Sequence, residues 1–478
     1  MNWDKHADAD QPHPAPQPAD TEHTPTTGDV VPFRHALRAW FLISLQTFGG
    51  PAGQIAVMQR FLVDDKRWMG QKRFLHALNY CMLLPGPEAQ QLAIYTGWLL
   101  NGTRGGLAAG TLFVLPGAVA ILALSIIYVA FGDTLAVSAL FAGLAPAVLA
   151  IVVHAVWRVG KKSLTGPGLI AIAVASFIAL SIFGIAFPIV IAAAAAIGWA
   201  LGRYAPAMLH RPAKPKDDNS SEPAPLISDD VLHDVAPSRG HTVKVLTISA
   251  LAWGLPMLAV VVLTGPHSIL TTQGMFFSGT ALVTFGGAYA VLAYVAQRAV
   301  EVYHWLSPGE MVRGLALAET TPGPLIMVVQ FVAFVGAYRN PGELDPWLAA
   351  ILAALLTTWV TFVPCFMFVF LGAPYVERLR NNTHLSAALT GITAAVVGVI
   401  ANLAIYFALH TLFAENTAAH WGFIDLQLPD LSTWRPLALA IATVAALTIF
   451  AFKWSVLRTL GLCALLGAAA AIAGLPTD

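Results

Sequence analysis

The sequence predicts an all-α polytopic membrane protein made of two inverted-topology repeats, each containing interrupted or re-entrant helices. Of the 478 residues, 57% are hydrophobic and only 11% are charged, whereas a soluble domain carries roughly 25% charged residues. The stretch 47–87 recurs as 284–324, 237 residues later and without a gap. The low charge places the chain in lipid, and the internal repeat organises it.

The two copies of this stretch agree at both ends. Each copy opens with Thr-Phe-Gly-Gly and closes with Pro-Gly-Pro, and eleven of the aligned positions are identical. Shared hydrophobicity alone would not place glycine and proline at matching positions. We therefore interpret the two stretches as copies of one structural unit.

The chain divides into five parts. Residues 1–33 form a polar tail that cannot bury apolar surface, and we expect it to be disordered and cytoplasmic. The first repeat covers 34–204 and the second covers 265–478. Between them lie a polar linker, 205–242, expected on the cytoplasmic side, and an additional transmembrane helix, 243–264.

Eight apolar segments, four in each half, have the composition of plain membrane spans. A helix needs roughly 20 apolar residues to cross the hydrocarbon core, and the segments meet this length, although one of them is short. They are 105–131, 135–157, 167–185, 187–202 (the short one), 345–372, 385–412, 434–452 and 456–475.

The apolar segments inside the repeated stretches are interrupted instead. Gly49, Gly50 and Pro51 break the first one, and a Pro-Gly-Pro at 85–87 breaks the next. Pro51 suits the first turn of a new helix, where its missing N–H is no loss. At about 1.5 Å per residue, each piece spans roughly half a bilayer. We therefore expect pairs of half-helices that form either re-entrant hairpins or broken spans.

The positions of Lys and Arg distinguish these two arrangements. With a cytoplasmic N-terminus and re-entrant hairpins there are nine crossings, and the 26 Lys and Arg divide 22 inside to 4 outside. With thirteen crossings the division is 19 to 7. The positive-inside rule favours the re-entrant arrangement. In both arrangements the second repeat starts on the opposite side of the membrane, as in the inverted repeats of secondary transporters.

The interruptions contain no basic residue, yet they suit an anion. No Lys or Arg occurs in 39–59, 74–103, 268–297 or 314–338, so positive potential there must come mainly from the backbone. Half-helices that begin at the interruptions point unpaired N–H groups inward, and glycine lets the backbone approach a ligand closely. For each threonine, a hydrogen bond to its own helix is the alternative role. The candidate substrate-binding residues are Thr47, Gly49, Gly50, Gly86, Gln90, Gln91, Thr284, Gly286, Gly287, Thr320, Thr321 and Gly323.

Two acidic residues stand beside the interruptions, Glu88 in the first half and Glu319 in the second. Glu88 could simply complete the N-terminal cap of its half-helix. Acids inside a membrane are costly and are usually functional, so we interpret both as proton-linked residues.

The motifs at the interruptions resemble those of the chromate ion transporter (CHR) family, in its long two-repeat form with antiparallel halves. The resemblance covers roughly 34–475 and implies a multi-pass protein of the bacterial inner membrane that exports chromate, a tetrahedral oxyanion, powered by the proton-motive force. Glu88 departs from the pattern, since many relatives carry a small or apolar residue there. The motifs are Phe-Gly-Gly-Pro at 48–51, Leu-Pro-Gly-Pro at 84–87, Phe-Gly-Gly at 285–287 and Thr-Pro-Gly-Pro at 321–324.

The sequence leaves alternatives for the substrate and for the mechanism. Sulfate or a related oxyanion is an alternative substrate because it matches chromate in charge and shape, and an anion channel is an alternative mechanism. An enzyme is not expected, since the chain has no Rossmann glycine fingerprint, no Cys-His cluster and no haem motif. We expect no cofactor and no metal site, and the zero net charge argues against nucleic acid as a partner. The expected partners are the oxyanion and the lipid bilayer, and a homodimer is left open.

Overall fold

The computed structural model describes residues 29–132, 134–209, 226–227, 238–285, 287–373, 383–421 and 424–475. These residues are almost entirely helical, with one short two-stranded sheet. The predicted all-α class is therefore confirmed. Most of the polar tail and most of the linker lie outside the described residues.

The first half begins with short helices that flank the interruptions and continues with full-length helices. They are α1 Phe33–Ser44, α2 Gly50–Gln59, α3 Gln71–Cys81, α4 Glu88–Phe131, α5 Leu135–Ser163, α6 Pro167–Ser181 and α7 Phe187–Tyr204. Helix α4 has non-helical backbone angles at Asn101 and Gly102, and a Cβ on Gly97 would lie 2.6 Å from the carbonyl oxygen of Gly105. Helix α4 therefore reverses its direction between these two glycines. Its first part is thus a half-helix, and its second part is a full span.

An additional helix, α8 (Arg239–Thr264), leads into the second half, which repeats the same order. The helices of this half are α9 Ile269–Val283, α10 Ala288–Gln297, α11 Pro308–Thr320, α12 Val328–Arg339, α13 Pro346–Gly372, α14 Thr383–Leu412, α15 Pro436–Phe450 and α16 Val456–Ile472. Between α14 and α15 the chain forms an antiparallel hairpin of β1 (Asn416–Trp421) and β2 (Ile424–Pro429). This hairpin was not expected from the sequence.

Nine helices of the described residues coincide with the nine crossings expected from the sequence. Six of them are long and apolar enough to cross a membrane unaided, namely α4, α5, α7, α8, α13 and α14. Helices α6, α15 and α16 are apolar but shorter, with 15, 15 and 17 residues. Large apolar side chains on the nine helices are exposed, such as Leu263 of α8 at 81%. That is expected of a surface that faces lipid.

The two halves repeat one another down to single hydrogen bonds. After α2 and after α10 the backbone forms a short π-helical turn. The N–H groups of Trp68 and Trp305 each donate, at 2.8 Å, to a carbonyl six residues earlier. Arg67 and His304, which precede the tryptophans, both have a φ of 52°, which is uncommon for residues other than glycine. Both pairs of positions differ by the same 237 residues, so the predicted internal repeat is present in the backbone.

In the second half, the segment made of α11 and α12 folds back on itself. Glu310 at the start of α11 accepts two hydrogen bonds from Arg339 at the end of α12, Nη1–Oε2 at 2.7 Å and Nη2–Oε1 at 2.6 Å. The two ends of the segment therefore lie on the same side of the molecule. A segment that crossed the membrane would hold these ends on opposite sides, so this one is a re-entrant hairpin.

In the first half, the loop after α2 contacts the linker. The N–H groups of Leu226 and Ile227 donate to the carbonyls of Arg67 and Trp68 at 3.2 and 3.1 Å. The linker lies four crossings beyond the reversal of α4, so it shares a side with that reversal in either arrangement. A broken span would place the loop after α2 on the other side. This contact therefore indicates re-entrant hairpins in the first half as well.

The full-length helices of the two halves interlock through glycine contacts. Helix α14 packs against α6 and α7, and α5 packs against α15 and α16. A Cβ added at Gly198 of α7 would lie 2.8 Å from Cα of Gly391 in α14, and one at Gly143 of α5 would lie 2.0 Å from the carbonyl oxygen of Cys463 in α16. Small residues permit this close approach of helices in lipid. Of these helices, α14 also packs against α10 and α11, and α5 packs against α11. The full-length helices thereby position the broken ones.

The hairpins predict which loops can be labelled from each side. Given a cytoplasmic N-terminus, Gln71→Cys should resist an impermeant thiol reagent outside intact cells and should react in inverted vesicles, because a charged reagent does not cross lipid. Glu343→Cys, at an exposed position between α12 and α13, is the control and should react from outside. If Gln71→Cys reacts from outside as readily as the control, the chain has thirteen spans.

Candidate functional site

The four interruptions meet at one place, which we call the central junction. Its described residues are 45–49, 82–87, 284–285, 287 and 321–324. The N–H of Gly323 donates to the carbonyl of Thr47 at 3.0 Å, and the N–H of Gly86 donates to the carbonyl of Thr284 at 2.7 Å. These two bonds are equivalent under the repeat, and each joins one half of the chain to the other. The amide of Gln54 also donates to the carbonyl of Gly323, at 2.6 Å.

A tyrosine connects three of the helices that begin or end at the junction. The hydroxyl of Tyr289 donates to Oε1 of Glu319 at 2.5 Å, and both side chains are buried. A Cβ at Gly50 would lie 3.6 Å from the same hydroxyl. Tyr289 thus brings together the starts of α2 and α10 and the end of α11. It was missing from the predicted site, although its place two residues after Gly287 was a usable signal.

The glycines of the motifs hold backbone conformations that other residues rarely adopt. All those that the structure describes have positive φ, between +71° and +124°. A side chain at such angles strains the backbone, so the turns need glycine whether or not a ligand binds. The described glycines are Gly49, Gly50, Gly86, Gly287 and Gly323. The remaining candidate, Gly286, lies outside the described residues.

Two full-length helices pack directly against the junction. A Cβ on Gly117 of α4 would lie 2.6 Å from the carbonyl oxygen of Pro322. On α13, the sulfur of Cys365 lies 2.9 Å from where a Cβ on Gly86 would be. Helices α4 and α13 are the first full spans of their halves, so the repeat extends to the surroundings of the junction.

The four candidate threonines donate hydrogen bonds to their own helices. Each hydroxyl contacts a carbonyl three or four residues earlier in the chain, at 2.8 Å for Thr47, 2.7 Å for Thr284, 2.8 Å for Thr320 and 3.2 Å for Thr321. A hydroxyl has one hydrogen to donate. In this conformation the threonines therefore present only acceptor lone pairs, and donating to an anion would require their hydroxyls to rotate.

Gln90 provides a free hydrogen-bonding group beside the junction. It lies in the first turn of α4 and is fully buried, and neither atom of its amide has a partner in the part of the chain that the structure describes. Gln91 is partly engaged, since its nitrogen donates to the carbonyl of Pro85 at 2.6 Å while its oxygen has no partner there. A buried amide without partners is costly. Gln90 therefore indicates a place that accommodates a polar ligand.

The two acids have different surroundings. Glu88 is the first residue of α4 and is half-buried, so its charge is complemented by the helix N-terminus. Glu319 is buried, and its Oε2 has no partner among the described residues while Tyr289 binds Oε1. Burying a carboxylate charge with an unpaired oxygen is costly. Glu319 is therefore suited to carrying a proton.

Positive charge reaches the junction from α5 as well as from the backbone. Arg158, near the C-terminal end of α5, acts electrostatically on both Glu88 and Glu319, and Lys162 acts on Glu88. The expectation that positive potential comes mainly from the backbone left out this contribution. No local signal marks Arg158, because only the packing of the helices brings α5 to the junction.

The junction therefore combines helix N-termini and neutral hydrogen-bonding groups with the longer-range charge of Arg158. Helices α2, α4 and α10 begin there, and the first turn of a helix has unpaired N–H groups and a partial positive charge. Among the described residues, no cluster of three or more His, Cys, Asp or Glu could hold a metal ion. Chemically, this arrangement suits a small anion bound next to groups that exchange a proton.

The bond between the two halves at Gly323 predicts an effect on stability. A Cβ from Gly323→Ala would lie 3.2 Å from Cα of Gly117 at a φ of +100°, and strain of this kind costs about 1–3 kcal/mol. We expect a lower melting temperature for the purified protein in detergent. Gly279→Ala, in α9 with open space at its Cβ, is the matched control and should melt at or above the parent temperature. Equal melting of Gly323→Ala and the parent would show that the junction does not constrain the fold.

Comparison with known proteins identifies relatives over most of the chain. A chromate transport protein of Pseudomonas aeruginosa is 32% identical over 387 residues, which are 79% of this chain and 82% of the relative. A chromate transport protein of Cupriavidus metallidurans is 27% identical over 409 residues, or 84% of this chain and 90% of the relative. An uncharacterized transporter of Methanocaldococcus jannaschii is 23% identical over 367 residues, or 77% and 82%. No solved structure matches the chain.

The family described as Chromate transporter matches residues 35–199 and 271–472. These two regions correspond to the two structural repeats, and the linker and the whole of α8 lie between them. The chain therefore belongs to the chromate transporter family.

Proposed function

We propose that this protein is a secondary active carrier that exports chromate from the cytoplasm across the bacterial inner membrane, driven by the proton-motive force. Membership of the family supports chromate transport. The observation that carries the proposal is the central junction, where interruptions from two inverted repeats meet beside the buried amide of Gln90. Secondary transporters form their substrate sites from broken helices in this way.

The proposed site binds an oxyanion without a direct ion pair. Backbone N–H groups at the starts of α2, α4 and α10 approach the anion, because the glycines there carry no side chain. The amide nitrogen of Gln90 and the second N–H of the Gln91 amide, whose first N–H donates to Pro85, add neutral hydrogen bonds. Arg158 adds positive charge from a distance. Binding of moderate strength lets the ligand leave again, which transport requires. The same contacts fit sulfate, which has the charge and shape of chromate.

Membrane voltage supplies much of the proposed driving force. A dianion that leaves a cell with a negative interior gains roughly 4–5 kcal/mol per 100 mV, from about 2.3 kcal/mol per charge. That supports a gradient of roughly three orders of magnitude, at about 1.4 kcal/mol per tenfold. A bound dianion disfavours the ionised form of a neighbouring carboxyl group. Binding of the dianion therefore favours protonation of Glu88 and Glu319, so the anion and the protons bind together. Simple proton antiport needs them to exclude each other, and we therefore assign the drive to voltage and the tuning of affinity to the acids.

Gly50→Leu and Gly287→Leu should abolish chromate uptake into inverted vesicles, with the protein still present in the membrane. The leucine at Gly50 would meet the hydroxyl of Tyr289, and the one at Gly287 would fill open space that we assign to the ligand. Pro87→Ala should be milder because the N–H groups survive. Gly279→Leu, also at an open position, is the matched control. Normal uptake by both leucine variants at the junction would place the site elsewhere.

Vesicles with a clamped potential test the driving force. Without a pH gradient, chromate should accumulate in the lumen of inverted vesicles when the lumen is positive, by roughly three orders of magnitude at 100 mV and equilibrium. Glu319→Gln should flatten the pH dependence and keep the response to voltage, whereas the exposed Glu343→Gln should behave like the parent. Accumulation that follows only the pH gradient would contradict the voltage hypothesis, and flux that never saturates would indicate a channel.

A further inference from the structure

A pocket with two arginines lies towards the end of α11 that is remote from the central junction. It has a volume of about 90 Å³ and opens between α5, α11, α14 and the start of α15. None of the described residues that line it is acidic. Its size suits several waters or one small ion. We call it the outer pocket, and the lining residues that matter here are Gly309, Arg313, His410, Thr411, Arg435 and Ala438.

The outer pocket faces the side of the membrane opposite the linker. Helix α8 crosses once from the linker. A Cβ on Gly336, near the end of α12, would lie 2.8 Å from both Gln273 near the start of α9 and Trp305 after α10, so both hairpins of the second half return to the side from which they enter. The start of α11, the end of α14 and the start of α15 therefore lie on that opposite side. With a cytoplasmic N-terminus, this is the outer side of the membrane.

The two arginines of the pocket have no carboxylate partner among the described residues. Nη1 of Arg313 donates to the hydroxyl of Tyr128 at 3.3 Å, and this hydroxyl donates in turn to Oε1 of Glu310 at 3.2 Å, so the arginine meets the acid only through a neutral group. Nη1 of Arg435 reaches the carbonyl of His410 at 3.5 Å. Both contacts are single hydrogen bonds to neutral oxygens, so both guanidinium groups keep donors for a further ligand.

The nearby acid does not neutralise Arg313. Glu310 already binds two nitrogens of Arg339, at 2.7 and 2.6 Å, and accepts the N–H of Ser307 at 2.8 Å. A bidentate pair of this kind is among the strongest side-chain interactions. Arg339 therefore compensates the charge of Glu310, and the charge of Arg313 is left for another partner.

Two further groups of the pocket also lack partners. Thr411 is 5% exposed, and its hydroxyl is without a hydrogen-bond partner in the part of the chain that the structure describes. Helix α15 begins at the pocket without a side-chain cap, and Ala438 in its first turn lines the pocket. Two guanidinium groups, a hydroxyl and a helix N-terminus are the donor set of an oxyanion site.

We propose that the outer pocket binds a small tetrahedral oxyanion, of the transported class, between the central junction and the outer side of the membrane. Arg313 and Glu319 lie on α11 six residues apart, which is about 9 Å along the helix axis. An anion that leaves the junction along α11 meets the guanidinium of Arg313 next. This inference rests on the proposed function, because it assigns the pocket to the path of the same substrate.

A cysteine in the pocket reports whether it is occupied. In the purified full-length protein, a neutral thiol reagent should modify Ala438→Cys, while Cys81, Cys365 and Cys463 are buried. Sulfate is the probe, because chromate oxidises thiols. At constant ionic strength it should slow the modification about tenfold when its concentration is ten times its dissociation constant. Glu343→Cys, exposed on the same side and outside the pocket, is the control and should show no protection.

Variants of the two arginines test the assignment. Both arginine substitutions are made in the protein that carries Ala438→Cys. Arg313→Gln combined with Arg435→Gln should remove the protection of this cysteine by sulfate, and the corresponding pair of lysine variants should keep part of it. Gel filtration shows whether each variant is folded, and the lysine pair keeps the test valid if the glutamine pair is not. Protection that survives in the folded glutamine pair, or no protection in Ala438→Cys alone, overturns the proposal. Protection by anionic lipid vesicles without sulfate also overturns it, since the occupant is then a headgroup phosphate.

Failure of this inference can be told apart from failure of the proposed function. Chromate uptake by the parent protein is measured separately in inverted vesicles. Protection by sulfate in a protein that does not transport chromate supports the pocket and contradicts the carrier. Uptake without protection supports the carrier and contradicts the pocket.

Discussion

Backbone groups freed by a broken helix have no water to bind inside a membrane, and every such group must find a partner in the protein. In this protein the partners come from the opposite half of the chain. Gly86 donates to Thr284, and Gly323 donates to Thr47. Neither half can satisfy its own interruptions by these bonds, so the interruptions need both halves in register. The close helix contacts at Gly143 and Gly198 provide that register.

This constraint also determines what remains for a ligand. The hydroxyls of the motif threonines donate to carbonyls of their own helices. Most of the motif glycines are required by the backbone conformation of the turns. The groups that remain are the amide of Gln90, one oxygen of Gln91, one oxygen of Glu319 and the first turns of the half-helices. These groups are neutral or can be neutralised by a proton. In the proposed site, helix dipoles and the distant charge of Arg158 stabilise the dianion, so no direct ion pair traps it.

Helix α11 links the two places where we expect an anion. Its inner end carries Glu319 beside the junction, and its outer end carries Arg313 in the outer pocket. The ion pair of Glu310 with Arg339 joins the two ends of the hairpin. It also neutralises the charge of Glu310, the acid closest to Arg313 in sequence. Arg313 makes one part of this short helix positive, and Glu319 makes the other part neutral or negative according to its protonation. In the proposed path, this difference gives the movement of the anion a direction.

The sequence by itself determined the class of protein, the internal repeat, the positions of the interruptions and the glycines that form them. These features are local, because hydropathy and the conformational limits of glycine and proline act within a few residues of the chain. Charge counting favoured re-entrant hairpins, but the decision rests on contacts between distant residues, Glu310 with Arg339 and Ile227 with Trp68. Only the tertiary structure could bring Tyr289 to Glu319 or the end of α5 to the junction. Such contacts depend on how whole helices pack, and no short pattern of residues encodes that packing.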